Sequence, residues 1–347
     1  MAVELEINGV MRQYELFIPS GAAEWADKTF AQSGRNGLPL IVMLHGYGNK
    51  PAQLKFDWNF GSIIENSSVW DDKAFVLIPY GLSEENNSQA TGAEPMRSWA
   101  AWPNLAPQHV VDETAIDAMI THASGLVQNY FTDRGVTRAS FDVDRMHLFG
   151  YSNGALMAFR LANSFPDKFA SIYAICGTDG GRTYKSGALQ INKPKSSGTK
   201  KISLTLYVGG NDRLIPPGTV GQVGVELPST DPKAWLVAHG LNPTEADENV
   251  VWLRTAYDTI KDFVDYNKGL IPTFNNNLGV PSVSWPNQVD VNGTLTRTSR
   301  VWRNGLVVNP AVNLIWDNVM GHTDATGAGR YISAAIVFDI FKVHPRV

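Results

Sequence analysis

Arg145-Met-His-Leu-Phe-Gly-Tyr-Ser-Asn-Gly154, continued by Ala155-Leu-Met-Ala-Phe-Arg-Leu-Ala162, decides the fold. It reads as a short apolar strand, a sharp turn and a helix. The turn, Gly150-Tyr151-Ser152-Asn153-Gly154, has the pattern G-x-S-x-G. Such a turn strains the serine backbone and lifts its hydroxyl clear of a sheet. Glycines flank it because a Cβ there would strike the neighbouring strand or helix. The following helix points its N-terminus at Ser152, which favours developing negative charge. Ser152 is therefore the candidate nucleophile, and the chain must also supply a base, an orienting acid and an oxyanion site.

Working outward, Leu38–Leu44 is a nearly continuous apolar run ending at His45-Gly46-Tyr47-Gly48, and Ala74–Ile78 is another, ending at Pro79-Tyr80-Gly81. Ser171–Cys176 and Ile202–Val208 are similar. Runs without alternation suit parallel strands buried on both faces. Asp112–Tyr130 has helical spacing at Ile116, Met119, Ile120 and Leu126. Val3–Ile7 and Gln13–Ile18 read as strands joined at Asn8-Gly9, a hairpin signal. Residues 20–38 read as a polar link, and 82–108 and 180–201 as loops. Strands alternating with helices predict a single α/β domain with a mostly parallel sheet covered on both faces.

The 347 residues are 44% hydrophobic and 18% charged, as in a folded globule. A net charge of −4 gives no basic footprint for nucleic acid. No run has the apolar length of a transmembrane helix, so no membrane partner is expected. The first residues are strand-like, without signal-peptide features. The single cysteine, Cys176, excludes an intrachain disulfide framework and reads as a small buried packing residue. Asn66-Ser-Ser and Asn292-Gly-Thr match the glycosylation acceptor pattern, which is common by chance. No cofactor or metal is expected, and the oligomeric state is open.

A serine nucleophile needs a histidine to take its proton and a carboxylate to hold that histidine's tautomer. Catalytic groups in such sheets gather at the carboxyl ends of strands. Asp212 follows Leu204-Thr-Leu-Tyr-Val208, and His322 follows Val312-Asn-Leu-Ile-Trp316 in Met320-Gly-His-Thr-Asp324. Asp317 and Asp324 are rival acids that crowd the histidine in sequence. His147 lies inside a strand, His122 and His239 on helices, His109 in a loop and His344 near the terminus. His45 precedes the serine and takes the oxyanion-loop position. Glycines around Tyr47 let the backbone turn an N–H toward the serine, so the N–H groups of Tyr47 and Asn153 are assigned to the oxyanion hole. A plain Gly-rich turn is the competing explanation.

These residues resemble a known group of α/β-hydrolases, the extracellular polyhydroxybutyrate depolymerases, feruloyl esterases and acetyl xylan esterases. The resemblance rests on Arg12-Gln-Tyr-Glu-Leu-Phe-Ile-Pro19, Pro39-Leu-Ile-Val-Met-Leu-His-Gly46, Asp144–Ala155, Phe165-Pro-Asp-Lys-Phe-Ala170, Gly210-Asn-Asp-Arg-Leu-Ile-Pro216 and Gly321-His322. It implies an α/β-hydrolase fold, a Ser152–Asp212–His322 triad and an oxyanion hole from Tyr47 and Asn153. It also implies a secreted or periplasmic enzyme whose leader is not in this chain, with a cytoplasmic location left open. The chain departs from the group in lacking disulfide cysteines, a polymer-binding module and a Thr-rich linker. It also departs in an Asp212-to-His322 spacing of 322 − 212 = 110 residues.

The excess lies in 217–310, read as an insertion that either forms a lid over the site or packs as a helical flap beside the sheet. Asp231-Pro232 starts one expected helix that stops at Gly240. Glu248–Asn267 is a second, capped by Gly269, and 271–290 is a proline-bearing loop. Trp99, Trp102 and Trp285 are candidate aromatic walls for a substrate. Arg182, Lys185, Lys193, Lys195, Lys200 and Lys201 form an acid-free basic stretch that would attract an anionic polymer. The leading expectation is a serine esterase acting on hydroxyalkanoate, feruloyl or acetyl esters. Amide cleavage of a polyanion such as polyaspartate is the alternative, and a non-catalytic polymer-binding protein on this fold is the second.

Overall fold

The structure is a computed structural model. It describes residues 1–35, 37–49, 51–68, 73–83, 97–99, 108–136, 141–179, 181–182, 198–213, 215, 217, 225–226, 252–253, 255–270, 280–281, 288–289, 295–303, 311–322, 337–339 and 341. The chain begins with the hairpin β1 (Ala2–Ile7) and β2 (Val10–Phe17), paired antiparallel. Its turn has φ 53° at Asn8 and 80° at Gly9, the two positive values that a type I′ hairpin turn requires. Helix α1 (Ala22–Ser33) follows, where the sequence suggested a polar link. It has no stripe of large apolar residues. It buries Ala22, Ala23 and Ala26 instead, and alanine is the strongest helix former.

The main strands are β3 (Leu38–Leu44), β4 (Phe75–Pro79), β5 (Phe141–Tyr151), β6 (Ser171–Ile175), β7 (Ser203–Gly209), β8 (Leu295–Arg303) and β9 (Ala311–Asp317). Their order in the sheet is β1-β2-β4-β3-β5-β6-β7-β9-β8. From β4 to β9 along that path every pairing is parallel. The margins are antiparallel, with β2 on β4 and β8 on β9, and short strands at 280–281 and 288–289 add to β8. Both faces of the middle strands are covered. Leu40, Val42 and Leu44 of β3 join one apolar cluster, while Ile41 and Met43 join the other. That explains why β3 is apolar without alternation. Helices α2 (Gln108–Thr132) and α3 (Asn153–Ser164) cover the first face.

Within 217–310, helix α4 (Ala256–Leu270) begins eight residues later than the sequence suggested and runs past Gly269. Thr255 sets the start: its Oγ1 accepts from Asp258 N–H at 3.1 Å, an N-cap bond. Trp252–Leu253, expected to be helical, instead pairs antiparallel with Gly181–Arg182 and Val225–Glu226. Helix α4 buries Ala256, Ile260, Phe263 and Val264 in the cluster beneath β7 and β9. The described parts of 217–310 thus include a framework helix and β8. The expected Asp231–Gly240 helix lies outside the described residues, as do Lys185, Lys193 and Lys195. No helix among the described residues is long and apolar enough to cross a membrane.

Candidate active site

Ser152 follows β5 directly and precedes α3, with φ 54° and ψ −121°. That combination costs a non-glycine residue about 1–3 kcal/mol and persists only where its surroundings enforce it. Here they do. Ser152 N–H donates to Ile175 O at 2.9 Å. A Cβ on Gly150 would lie 2.4 Å from Gly154 O, and one on Gly154 would lie 2.1 Å from Leu44 O. Both flanking positions therefore exclude any side chain, and the helix axis approaches β3 as closely as backbone allows.

Three loops at the carboxyl ends of β5, β7 and β9 bring the expected triad together. His322 Nε2 lies 2.7 Å from Ser152 Oγ, and His322 Nδ1 lies 2.8 Å from Asp212 Oδ2. A carboxylate only accepts, so Nδ1 carries the proton and Nε2 is left to accept from the serine hydroxyl. The other Asp212 oxygen accepts from Ile215 N–H at 2.8 Å, which fixes the carboxylate. Asp212 is buried, and the His322 side chain is 10% exposed. The rival Asp317 serves a different purpose. Its Oδ1 accepts from Val319 and Met320 N–H at 3.1 and 3.2 Å, and its Oδ2 from Tyr207 hydroxyl at 3.0 Å. Asp324 lies outside the described residues.

The Asp212 and His322 loops are tied to each other. Gly210 N–H donates to Asp317 O at 2.6 Å and Asn211 N–H to Met320 O at 3.1 Å. Tyr151 hydroxyl donates to the His322 carbonyl at 2.7 Å, and its ring lies 5.5 Å from the imidazole. Tyr151 occupies an unspecified position of the G-x-S-x-G pattern, and no local feature marks it as the prop of a loop 171 residues away.

His45 is fully buried at the end of β3. Its Nδ1 pairs with Gly46 O at 2.8 Å, and its Nε2 accepts from Gly81 N–H at 3.0 Å. Burial, with a small contribution from the Arg97 charge, lowers its pKa to about 4, so it is neutral at ordinary pH. It locks the turns after β3 and β4 together. Trp99, expected to line the substrate, is instead 2% exposed and links the same loops. Its indole N–H donates to His45 O at 2.9 Å. Asn153 clamps the Trp99 backbone from the other side, its Oδ1 accepting from Trp99 N–H at 2.7 Å and its Nδ2 donating to Trp99 O at 3.0 Å. Sequence reasoning assigned Asn153 only a backbone role and missed this amide clamp.

Asn153 is the first residue of α3, where backbone N–H groups lack intrahelical partners. Tyr47 lies in the loop that crosses Ser152: a Cβ on neighbouring Gly46 would fall 3.4 Å from Ser152 Cβ. Both proposed oxyanion donors therefore belong to segments beside Ser152. Trp102 and Trp285 lie outside the described residues, as do His239 and His344. His147 packs within the sheet, 2.8 Å from Ser171 Oγ, and His122 pairs with Tyr14 hydroxyl at 2.7 Å.

Comparison with known proteins agrees with this architecture. The sequence model of the phospholipase/carboxylesterase family matches residues 28–222. A curated protein named "Putative esterase NocK", from Nocardia uniformis subsp. tsuyamanensis, is 25% identical over 181 residues. That match takes in 51% of this chain and 41% of NocK, so the chain spans about two-fifths of its relative's length. Among solved structures, an acetyl xylan esterase from Aspergillus awamori superposes with a TM-score of 0.50 at 12% identity, covering 99% of both chains. At that identity the likeness is one of fold. A thermostable esterase aligns at 17% identity with a TM-score of 0.36, over 62% of this chain and 48% of its own.

Proposed function

The chain belongs to the phospholipase/carboxylesterase family of α/β-hydrolases, and from that premise we propose that it is a serine esterase that hydrolyses carboxylic esters through an acyl-enzyme on Ser152. The observation that carries this is the continuous hydrogen-bonded line Ser152 Oγ–His322 Nε2 and His322 Nδ1–Asp212 Oδ2, at 2.7 and 2.8 Å. In the first half-reaction His322 takes the Ser152 proton as Oγ attacks the ester carbonyl. Asp212 holds the imidazole in the reactive tautomer and stabilises the imidazolium. The N–H groups of Tyr47 and Asn153 receive the developing oxyanion, each worth roughly 10²–10³ in rate. His322 then returns the proton to the leaving alcohol. Water, deprotonated by the same histidine, releases the acid and restores Ser152.

The acyl groups we put forward are acetyl, feruloyl and hydroxyalkanoate, those of the esterase group that the sequence resembles. A panel of p-nitrophenyl acetate, methyl ferulate, acetylated xylan and hydroxybutyrate oligomers, each with wild type and Ser152→Ala, tests both levels. The expected result is turnover of at least one ester by the wild type, with Ser152→Ala losing at least about 10⁴-fold in kcat. Folded wild-type protein that turns over none of these esters would overturn the proposal. Equal turnover by Ser152→Ala would also overturn it.

A further inference from the structure

One more cluster of metal-ligating side chains stands among the described residues, and it overlaps the triad. Cys176, Asp212 and His322 each offer one ligand atom, and these atoms all lie within 4.8 Å of one another. Cys176 is the first residue after β6 and holds a left-handed backbone, φ 51°. Its N–H donates to Tyr207 O at 2.9 Å, which fixes this turn against β7, the strand that leads to Asp212. Cys176 and Asp212 are both buried. A thiolate, a carboxylate and an imidazole form the donor set that zinc and its heavier congener cadmium accept.

We propose that Cys176, Asp212 and His322 form an inhibitory site for a thiophilic divalent cation, Zn²⁺ or Cd²⁺, whose binding and catalysis exclude each other. In a tetrahedral zinc site, with bonds of about 2.0–2.3 Å, ligand atoms stand roughly 3.5 Å apart. Closing the observed cluster therefore takes side-chain movement of about 1 Å. On binding, the thiol releases its proton to solvent, a metal–sulfur bond forms, and thiolate and carboxylate together neutralise the dication. No electron is transferred. The triad uses both nitrogens of His322, at 2.8 Å to Asp212 and 2.7 Å to Ser152. A metal on Nε2 occupies the lone pair that accepts the serine proton. A metal on Nδ1 forces the ring proton onto Nε2, with the same loss.

The inhibitory consequence rests on the esterase proposal; the binding site itself does not. Two readouts separate them. Titration of the intact chain with Cd²⁺ is followed by the ultraviolet thiolate-to-cadmium charge-transfer band, and hydrolysis of p-nitrophenyl acetate is followed in Zn²⁺ with and without chelator. The wild type is expected to develop the band and to lose hydrolysis reversibly. Cys176→Ala should show no band and need at least about tenfold more Zn²⁺ for half-inhibition. Asp212→Asn, which keeps the thiol, should weaken Cd²⁺ binding by about 10–100-fold. A wild type without the band at millimolar Cd²⁺ overturns the site. So does a band of unchanged affinity in Asp212→Asn, or Zn²⁺ inhibition identical in wild type and Cys176→Ala. A wild type that develops the band but hydrolyses no ester sinks the esterase proposal and leaves the metal site standing.

Discussion

Acidification should weaken this fold through His45, and the structure sets both the window and the size. The ring is fully buried, donates from Nδ1 to Gly46 O and accepts at Nε2 from Gly81 N–H. A second proton on Nε2 would destroy that acceptor and place a charge beside Arg97 in a dry site. Its pKa accordingly falls from 6.5 to about 4 in the folded state. The folded pKa lies below the unfolded one, so between these values the unfolded chain binds more protons. The contribution is fully present above pH 6.5 and is lost progressively as pH falls towards 4. The difference, 6.5 − 4 = 2.5 units at about 1.36 kcal/mol each, amounts to about 3 kcal/mol in all, of which about 2 kcal/mol is lost between pH 7 and pH 5. Urea unfolding of wild type and His45→Gln at pH 7, 6 and 5 measures it. The variant lacks the titrating ring, so its stability should fall less over that range, by about 2 kcal/mol. Parallel pH profiles for the two proteins would refute the assignment.

Four further substitutions probe the site and its supports. Tyr151→Phe removes the hydroxyl bond to His322 O. It should lower kcat/KM by roughly fivefold, the equivalent of about 1 kcal/mol, with little change in the urea midpoint. Gly154→Ala drives a methyl to 2.1 Å from Leu44 O, backbone that cannot yield. It should destabilise the chain by about 3 kcal/mol or more, read by thermal unfolding. Asp212→Asn should cut kcat by on the order of 10²–10⁴-fold while leaving stability nearly intact. Asp317→Asn should do the reverse, lowering stability by about 1–3 kcal/mol through its Tyr207, Val319 and Met320 partners. Steady-state kinetics and urea unfolding, run side by side on both asparagine variants, check that contrast.

The parts legible in the sequence are those set by local chemistry. The positive φ values at Asn8-Gly9, the glycines around Ser152 and the apolar runs of β3, β4, β6 and β7 all announce themselves. What escaped is set by distant partners. Helix α1 packs through alanines, which leave no stripe of large apolar residues to detect. Strand β8 buries Arg297 and Ser299 on its inward positions, so the apolar alternation that would reveal a half-buried strand is missing. The cap at Thr255 moved the start of α4, and a short strand replaced the turn of helix expected before it. At the site, Ser152 follows from its G-x-S-x-G turn and Asp212 and His322 from their places after apolar runs, but the roles of Tyr151, Trp99 and the Asn153 amide are not legible in this way. Those contacts span 54 to 171 residues, and nothing near them in sequence names the partner.

The choice between two carboxylates shows what geometry adds to pattern. Asp212 and Asp317 both follow or end strands that lie side by side and parallel, β7 and β9, and both stand within a few residues of a tight turn. Either satisfies the rule that catalytic groups gather at carboxyl ends of strands. Their hydrogen-bond inventories separate them. Asp317 spends both oxygens on its own loop and on Tyr207, whose hydroxyl burial holds firmly protonated and therefore able to donate. Asp212 anchors one oxygen on Ile215 N–H and presents the other to His322. One carboxylate therefore sets the path of the loop that carries the histidine, and the other sets the histidine's tautomer. Asp317 thus contributes to the fold around His322, while only Asp212 touches the imidazole.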